Sequence, residues 1–418
     1  MSKQKFFQIL KNEIKRVDDA KIAKRHENII EGFTDDPSPK AIIDEKKYAI
    51  FNSNDYLGLR HNLVLKKAEH EASLKFGAGP GAVRFISGSL KIHLDLEKSI
   101  AKFHSKQAGM IFSSAFATNL AVLFSLIKGQ SKDSLLTDNV LVISDELNHR
   151  SIIDGIRLAN LTTEQKAIFK HMDASDLDKV LKNNLGKFDR VLVVTDGVFS
   201  MLGEYQDLKS IRRVIDQYDQ QYQHGVLLVV DDAHGVGAFG KTGRGTEEVT
   251  QASADVLIGT FGKGFGADGG YVVADQTVID YLRESGATYI YSNSISAGTA
   301  GAALAAVKLV DSAQGQQMLD NLKENVSYFK KQMLQAGFTF AADSIHSIQA
   351  VLIADPDRTM AFKKGMFEAG FLVTNINYPV VPKGKDEIRV QISATHTQVD
   401  LDNFIKKAVK VGKKIGIV

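Results

Sequence analysis

Two stretches of the chain bring together residue types that can do chemistry. The run Leu227-Leu-Val-Val-Asp231-Asp232-Ala233-His234-Gly235 is an apolar strand ending in two carboxylates and an imidazole. After a helix-sized gap comes Ile258-Gly-Thr260-Phe-Gly-Lys263-Gly-Phe-Gly266, a lysine with glycines on both sides. A lone strand-end aspartate is as often a cap for the next helix as a functional group. A lone lysine is usually a solvated charge, but flanking glycines leave this one open to close approach. In this order the two motifs meet the needs of pyridoxal phosphate. That cofactor is held as an imine on a lysine, and an aspartate opposite its pyridinium nitrogen keeps the ring protonated and so an electron sink. Upstream, Asn148-His149 offers an imidazole to stack on such a ring. Ser113-Ser114-Ala115-Phe116 opens a helix whose amides suit a phosphate.

Composition removes several rival chemistries. The 418 residues contain no cysteine, which excludes disulfides, thiolate zinc sites, cysteine-ligated iron–sulfur clusters and cysteine nucleophiles. Basic and acidic side chains number 52 and 49, too close to balance for a protein that holds nucleic acid by phosphate neutralisation. His61, His70, His93 and His104 lie on separate segments without ligand spacing, so no metal site is expected. Gly77-Ala-Gly79-Pro-Gly81 lacks the third spacing of a dinucleotide fingerprint and follows a helical pattern rather than a strand. Gly259-Thr-Phe-Gly262-Lys263 lacks the four-residue spacing of a Walker A loop. The longest apolar runs, Ala121–Ile127 and Val226–Val230, fall far short of the roughly 20 residues of a membrane helix. No export signal is read, and a cytoplasmic location is expected.

The elements that must position these residues follow a βαβ pattern. Val140–Ser144, Arg190–Thr195, Val226–Val230 and Val256–Gly259 are continuous apolar runs, as expected of parallel strands covered on both faces. Leu96–Lys106, Ser151–Leu158, Ser175–Asn183 and Leu208–Gln221 are the expected crossover helices, which puts function at the carboxyl ends of the strands. After Ser292 the texture changes. Helices are expected at Ala297–Ser312, Met318–Ala336, Met360–Ala369 and Val399–Lys413, with strands at Ser347–Ile353, Leu372–Thr374 and Glu387–Ser393. Lys3–Arg25 reads as an amphipathic arm. The expected fold class is α/β, with a large domain (51–295) around a mostly parallel sheet, a smaller α+β C-terminal domain (296–418), and an N-terminal helical arm with a small-domain segment (1–50).

Over nearly the whole chain the sequence resembles the α-oxoamine synthases, fold-type I pyridoxal phosphate enzymes. The resemblance is carried by Phe51-Asn-Ser-Asn-Asp-Tyr-Leu-Gly58, Gly81-Ala-Val-Arg-Phe-Ile-Ser-Gly88, Leu147-Asn-His-Arg-Ser-Ile-Ile-Asp-Gly155, Thr195-Asp-Gly-Val-Phe-Ser-Met201, the aspartate and lysine motifs, and Tyr291-Ser-Asn-Ser294. It implies that Lys263 is the imine lysine and the base for the α-proton, that Asp231 faces the pyridinium nitrogen and that His149 stacks on the ring. Ser200 and His234 would contact the phenolic oxygen. Ala115 and Phe116, behind Ser114, would give amides to the phosphate, and Thr260 a hydroxyl. Ser292 and Asn293 would reach the phosphate of a neighbouring subunit, so a homodimer with shared sites is implied. Asn54 and Arg389 match the pair that holds the substrate carboxylate. A guanidinium fork suits that task, because it binds a carboxylate bidentately.

Within the family the members share glycine, serine or alanine as amino donor and differ in the acyl-CoA. Val83 and Phe85 flank Arg84 as in the 2-amino-3-ketobutyrate CoA ligases, and Arg84 is taken as a substrate contact. The Asn377–Gly384 and Ile388–Thr397 runs point the same way. Glycine plus acetyl-CoA, to and from 2-amino-3-oxobutyrate, is therefore the expected reaction. The alternatives are 8-amino-7-oxononanoate, 5-aminolevulinate or serine palmitoyl synthases of the same family. Gly264-Phe-Gly266 is closer to the first of these, and the polar insertion Gln130–Asn139 departs from the ligases. An aminotransferase of the same fold is the alternative from another class, against which Gly197-Val-Phe-Ser-Met201 argues.

Overall fold

The computed structural model describes every residue except Met1, Lys21, Gln130, Lys132 and Pro379. Short strands β1 (Gly32–Phe33), β2 (Ala41–Ile43) and β3 (Lys46–Ile50) follow an N-terminal helix, Ser2–Asp19. The central sheet comprises β4 (Ala108–Phe112), β5 (Val140–Asp145), β6 (Lys166–Phe169), β7 (Arg190–Asp196), β8 (Val226–Asp231), β9 (Val256–Thr260) and β10 (Gly270–Ala274), in the order β4-β10-β9-β8-β7-β5-β6. The pairs from β6 through β9 are parallel, and β10 runs antiparallel to both of its neighbours. β4, β6 and β10 are not among the strands expected from the sequence. The reversal at β10 has a simple cause. Only the short loop Phe261–Gly269 separates it from β9, whereas a parallel return needs a crossover of a dozen or more residues.

Alternate residues of these strands enter two different cores. Leu141, Ile143, Val191, Val193, Leu228 and Val230 pack on one face. Val140, Val142, Leu192, Val194 and Val229 pack on the other. This double burial is why the strands read as unbroken apolar runs, and each expected strand extends one residue further, to Asp145, Asp196, Asp231 and Thr260. Four polar side chains thus stand in a row at the carboxyl edge.

The C-terminal third adds β11 (Thr339–Phe340), β12 (Ile348–Leu352), β13 (Phe371–Leu372), β14 (Thr374–Ile376) and β15 (Glu387–Gln391). The expected strand Leu372–Thr374 is split. β13 pairs in parallel with β3, while β14 joins the sheet β11-β12-β15-β14. Chain segments from before and after the large sheet therefore share one small sheet. The Gln130–Asn139 insertion, which includes Gln130 and Lys132, and the Asn377–Gly384 run, which includes Pro379, lie partly outside the described residues.

Candidate active site

The loop that carries Lys263 is fixed at both ends. Phe261 N–H donates to Gly269 O at 2.9 Å, Ala267 N–H to Phe261 O at 2.9 Å and Gly266 N–H to Lys263 O at 2.9 Å. Phe261 and Phe265 bury their rings beneath it. Gly264 and Gly266 are required by close approach: a Cβ on Gly264 would lie 2.8 Å from Val236 O, and one on Gly266 2.5 Å from Arg60 N. The lysine is thereby held out of this packed base, against a cavity lined by Ala115, Phe116, His149, Ser151, Asp196, Val198, Ser200, Asp231, Ala233 and His234. Burial pushes the Lys263 amine down to about 8, against the opposing charges of Asp231 and Asp196. An amine so placed is neutral and nucleophilic over a far larger share of the population than a surface lysine.

Asp231 stands at the end of β8, in register with Asp196 at the end of β7. Its Oδ1 accepts the Ala233 N–H at 3.1 Å and its Oδ2 the Asn119 amide at 2.5 Å. Asn119 also donates to Ser151 Oγ at 2.9 Å, and Ser151 Oγ lies 2.7 Å from His149 Nδ1. Asp196 accepts the His149 backbone N–H at 2.8 Å. Burial and the charge of Asp231 push its carboxyl well above the usual range. Burial holds His149 below its ordinary value, with Lys263 in the same direction and Asp231 opposing.

His234 is oriented from two sides. Its Nδ1 lies 2.7 Å from the Tyr56 hydroxyl, and His346 Nε2 donates to its carbonyl at 2.9 Å. Burial raises Tyr56 far beyond neutrality, so the hydroxyl keeps its proton, with Asn54 Oδ1 at 3.3 Å as a second neighbour. Burial likewise keeps His234 uncharged.

The remaining expected residues divide into two groups. Ser114 caps the helix Ala115–Ile127 by accepting the Ala117 N–H at 3.1 Å, which leaves the first two amides, of Ala115 and Phe116, without an intrahelical acceptor. β10 must offer a glycine there, because a Cβ on Gly270 would lie 2.3 Å from Ala115 N. Ser200 lines the cavity. Arg389 projects from β15, with its Nε and Nη2 buried and without partners among the described residues, while Nη1 can donate to the Gln391 amide oxygen at 3.1 Å. The Gln391 amide is also 2.7 Å from that of Asn54. The two unpaired N–H groups on one edge of this buried guanidinium are placed to donate to the two oxygens of a carboxylate.

Three expectations fit less simply. Thr260 gives its hydroxyl proton to Gly269 O at 2.8 Å rather than holding it free. Ser292 and Asn293 lie on the surface, outside the cavity of their own chain. Arg84 is not brought to the site at all. It is buried, donates to both oxygens of Glu97 at 3.1 and 3.3 Å, and gives its Nε–H to Ser89 at 3.0 Å. The functional reading of Arg84 missed this because its partner lies on the following helix, and nothing in the spacing reveals that both would turn inward. Asn119, Ser151, Tyr56, Asp196 and His346 were also missed. An asparagine inside the otherwise apolar run Ala115–Ile127 was the available signal.

The donor set fits pyridoxal phosphate. A desolvated amine, strand-end carboxylates, two imidazoles and two residues with open helix amides line one cavity. A much larger cavity, about 920 Å³, touches this region only through His346 and holds none of these groups.

Comparison with known proteins agrees. The family model described as aminotransferase class I and II matches residues 46–407. The chain is 38% identical to 8-amino-7-oxononanoate synthase of Treponema denticola over 382 residues, covering 91% of each chain. It is also 38% identical to the Thermosipho melanesiensis enzyme of the same name, covering 90% and 91%. Among solved structures, serine palmitoyltransferase of S. paucimobilis superposes with a TM-score of 0.86 at 26% identity, covering 99% of both chains. The 8-amino-7-oxononanoate synthase of Francisella tularensis, at 23% identity and a TM-score of 0.71 over 88% of this chain and 98% of that one, shares the fold. These relatives back the alternative acyl donors over the acetyl-CoA reading. The chain therefore belongs to the α-oxoamine synthases within the class I and II aminotransferase family, pyridoxal-phosphate-dependent acyltransferases of the α/β fold described above.

Proposed function

We propose that the chain joins a small amino acid to the thioester of a medium-length acyl group, as an 8-amino-7-oxononanoate synthase does. The name of that product defines the chemistry. Carbons 8 and 9, an amine-bearing carbon with its methyl, are what alanine leaves after losing its carboxylate, and carbons 1 to 7 are a heptanedioyl chain. The observation that carries this reading is the 38% identity to two such synthases over about nine-tenths of each chain.

When bound, pyridoxal phosphate supplies an electron sink for the charge left on the amino acid's α-carbon once its proton is gone. The chain's own groups do the rest. Lys263 Nζ, neutral near its lowered pKa, takes that proton. Asp231, at the end of a buried strand, would pair with the ring nitrogen, and His149 would stack on the ring. Arg389, with Asn54 beside it, holds the substrate carboxylate through its unpaired Nε and Nη2. The amides of Ala115 and Phe116, behind Ser114, would hold the phosphate, Thr260 would have to release Gly269 O to join them, and Ser200 and His234 would contact the phenolic oxygen. Ser292 and Asn293, exposed on their own subunit, complete the phosphate site of a second copy, which makes the protein a homodimer.

The test is CoA release measured for glycine, alanine and serine, each against acetyl-, succinyl-, heptanedioyl- and palmitoyl-CoA. Alanine with heptanedioyl-CoA is expected to give the highest kcat/KM. A maximum at glycine with acetyl-CoA would return the chain to the ketobutyrate ligases, and one at serine with palmitoyl-CoA would move it to the palmitoyltransferases.

A further inference from the structure

Asn119 and Ser151 are each 1% exposed, and neither carries any role in the chemistry above. Yet they link by side-chain hydrogen bonds the two groups expected to meet the cofactor ring, Asp231 and His149. The direction of each bond can be deduced. Asn119 Nδ2 has two hydrogens, one for Asp231 Oδ2 at 2.5 Å and one for Ser151 Oγ at 2.9 Å. The amide cannot be reversed, because its oxygen would then face the carboxylate. Ser151 Oγ, having accepted from Asn119, turns its own hydrogen to His149 Nδ1 at 2.7 Å. The Ser151 backbone N–H points at the same nitrogen from 3.3 Å, which an Nδ1–H would oppose. Nδ1 is therefore an acceptor twice over, and the ring proton resides on Nε2.

We propose that Asn119 and Ser151 are positioning residues acting as one relay, which fixes His149 as its Nε2–H tautomer and aims Asp231 Oδ2 at the same time. The inference rests on the pyridoxal phosphate reading of the site. An asparagine is needed at 119 because the relay must donate at both ends. An aspartate would repel Asp231, and an alanine would leave Ser151 free to turn its hydrogen away from His149. The relay is buried at the wall of the cavity, where Ser151 forms part of the lining, so it sets ring orientation and tautomer before any ligand arrives.

The test uses the full-length protein, with ¹⁵N-labelled histidine in its cofactor-free form and pyridoxal phosphate titrated by absorbance. His149→Asn identifies the His149 resonances. The wild type should show His149 as the pure Nε2–H tautomer at neutral pH. Ser151→Ala, nearly isosteric and so least prone to misfold, should mix the tautomers and weaken pyridoxal phosphate binding by roughly tenfold, the size of one hydrogen bond to a charged or functional group. Asn119→Ala should do the same, and the double variant should be no worse than the more affected single one, since both break one chain. An Nδ1–H wild type, tautomers unchanged in both variants, or losses that add would overturn the relay. A wild type that takes up no pyridoxal phosphate would overturn the proposed function and the relay with it, whereas tight wild-type binding matched by both variants would overturn the relay alone.

Discussion

Lys263 combines two demands that oppose each other: an amine that must attack an aldehyde needs to be neutral, yet it must sit among carboxylates that favour its charge. Burial wins, bringing it from 10.5 to about 8. Its neutral fraction therefore grows with pH and levels off above about 8. The rate at which cofactor-free protein captures pyridoxal phosphate, followed by stopped-flow absorbance, should rise with a midpoint near pH 8. A midpoint near 10.5 would mean the amine is solvated. Lys263→Ala should abolish the visible band altogether. The lysine and Asp231 were legible because chemistry is concentrated in residue types with rare neighbours: glycines around a lysine, and acids after an apolar run. Asn119 and Ser151 were not, because an asparagine or serine owes its role to a partner that only the fold supplies. Arg84 shows the converse error. Its position in a family-like motif suggested substrate, but Glu97, shared with Arg283 at 2.9 Å and the Ile111 N–H at 3.2 Å, makes it one arm of a buried ion network. Removing Arg84 leaves the buried Glu97 carboxylate with Arg283 and the Ile111 N–H as partners, so part of its compensation is lost. Arg84→Ala should thus cost about 2–3 kcal/mol of unfolding free energy in urea, with acyl-CoA preference unchanged. A stable variant with altered preference would restore the substrate role.

At the scale of elements, the site is built from strand ends that must stay in step. Asp145, at the end of β5, is tied to the loop after β7 by His171, whose Nδ1 lies 2.9 Å from Asp145 Oδ1 and whose Nε2 lies 3.4 Å from Glu204 Oε2. Burial disfavours the imidazolium, but the bonds to Asp145 and Glu204 outweigh it and raise His171 to about 9. Its pKa is higher folded than unfolded, so the stability it contributes is complete below about 6.5 and fades as pH rises through 9. His171→Gln should lower the unfolding free energy by about 2–3 kcal/mol at about pH 6 and by little at about pH 10. An equal loss at both would mean His171 acts by packing alone. The parallel strands were readable because burial on both faces leaves an unbroken apolar run. The hidden elements were those whose identity depends on their connections. β10 is antiparallel because its loop is short, and Leu372–Thr374 is divided because two sheets compete for neighbouring residues.

At the scale of the molecule, one chain leaves apolar surface uncovered. The N-terminal helix exposes Phe6 at 57% and Ile9 at 63%, with Phe7, Leu10 and Ile14 beside them, and Phe85, Ile86, Phe116 and Tyr291 are exposed elsewhere. Scattered apolar residues on a surface need no explanation, but a whole helix face does. A second copy would cover such surface and bring Ser292 and Asn293 to the phosphate site that the helix start at Ala115 opens. With no cysteine to hold an acyl intermediate as a thioester, direct transfer within a site shared as proposed would require both substrates to be bound together. Shared sites make a prediction that separate sites do not. Lys263→Ala and Asn293→Asp chains are each expected to be nearly inactive as pure proteins, the second because a carboxylate would face the phosphate. In a mixed dimer one site receives both lesions, but the other receives Lys263 from one chain and Asn293 from its partner, and is intact. Unfolding the two proteins together and refolding at equal concentration pairs chains at random, so half the dimers are mixed and about one quarter of wild-type activity should return. Activity that stays at the sum of the two parents, in a sample shown by light scattering to contain dimers, would place Asn293 in its own chain's site or in none.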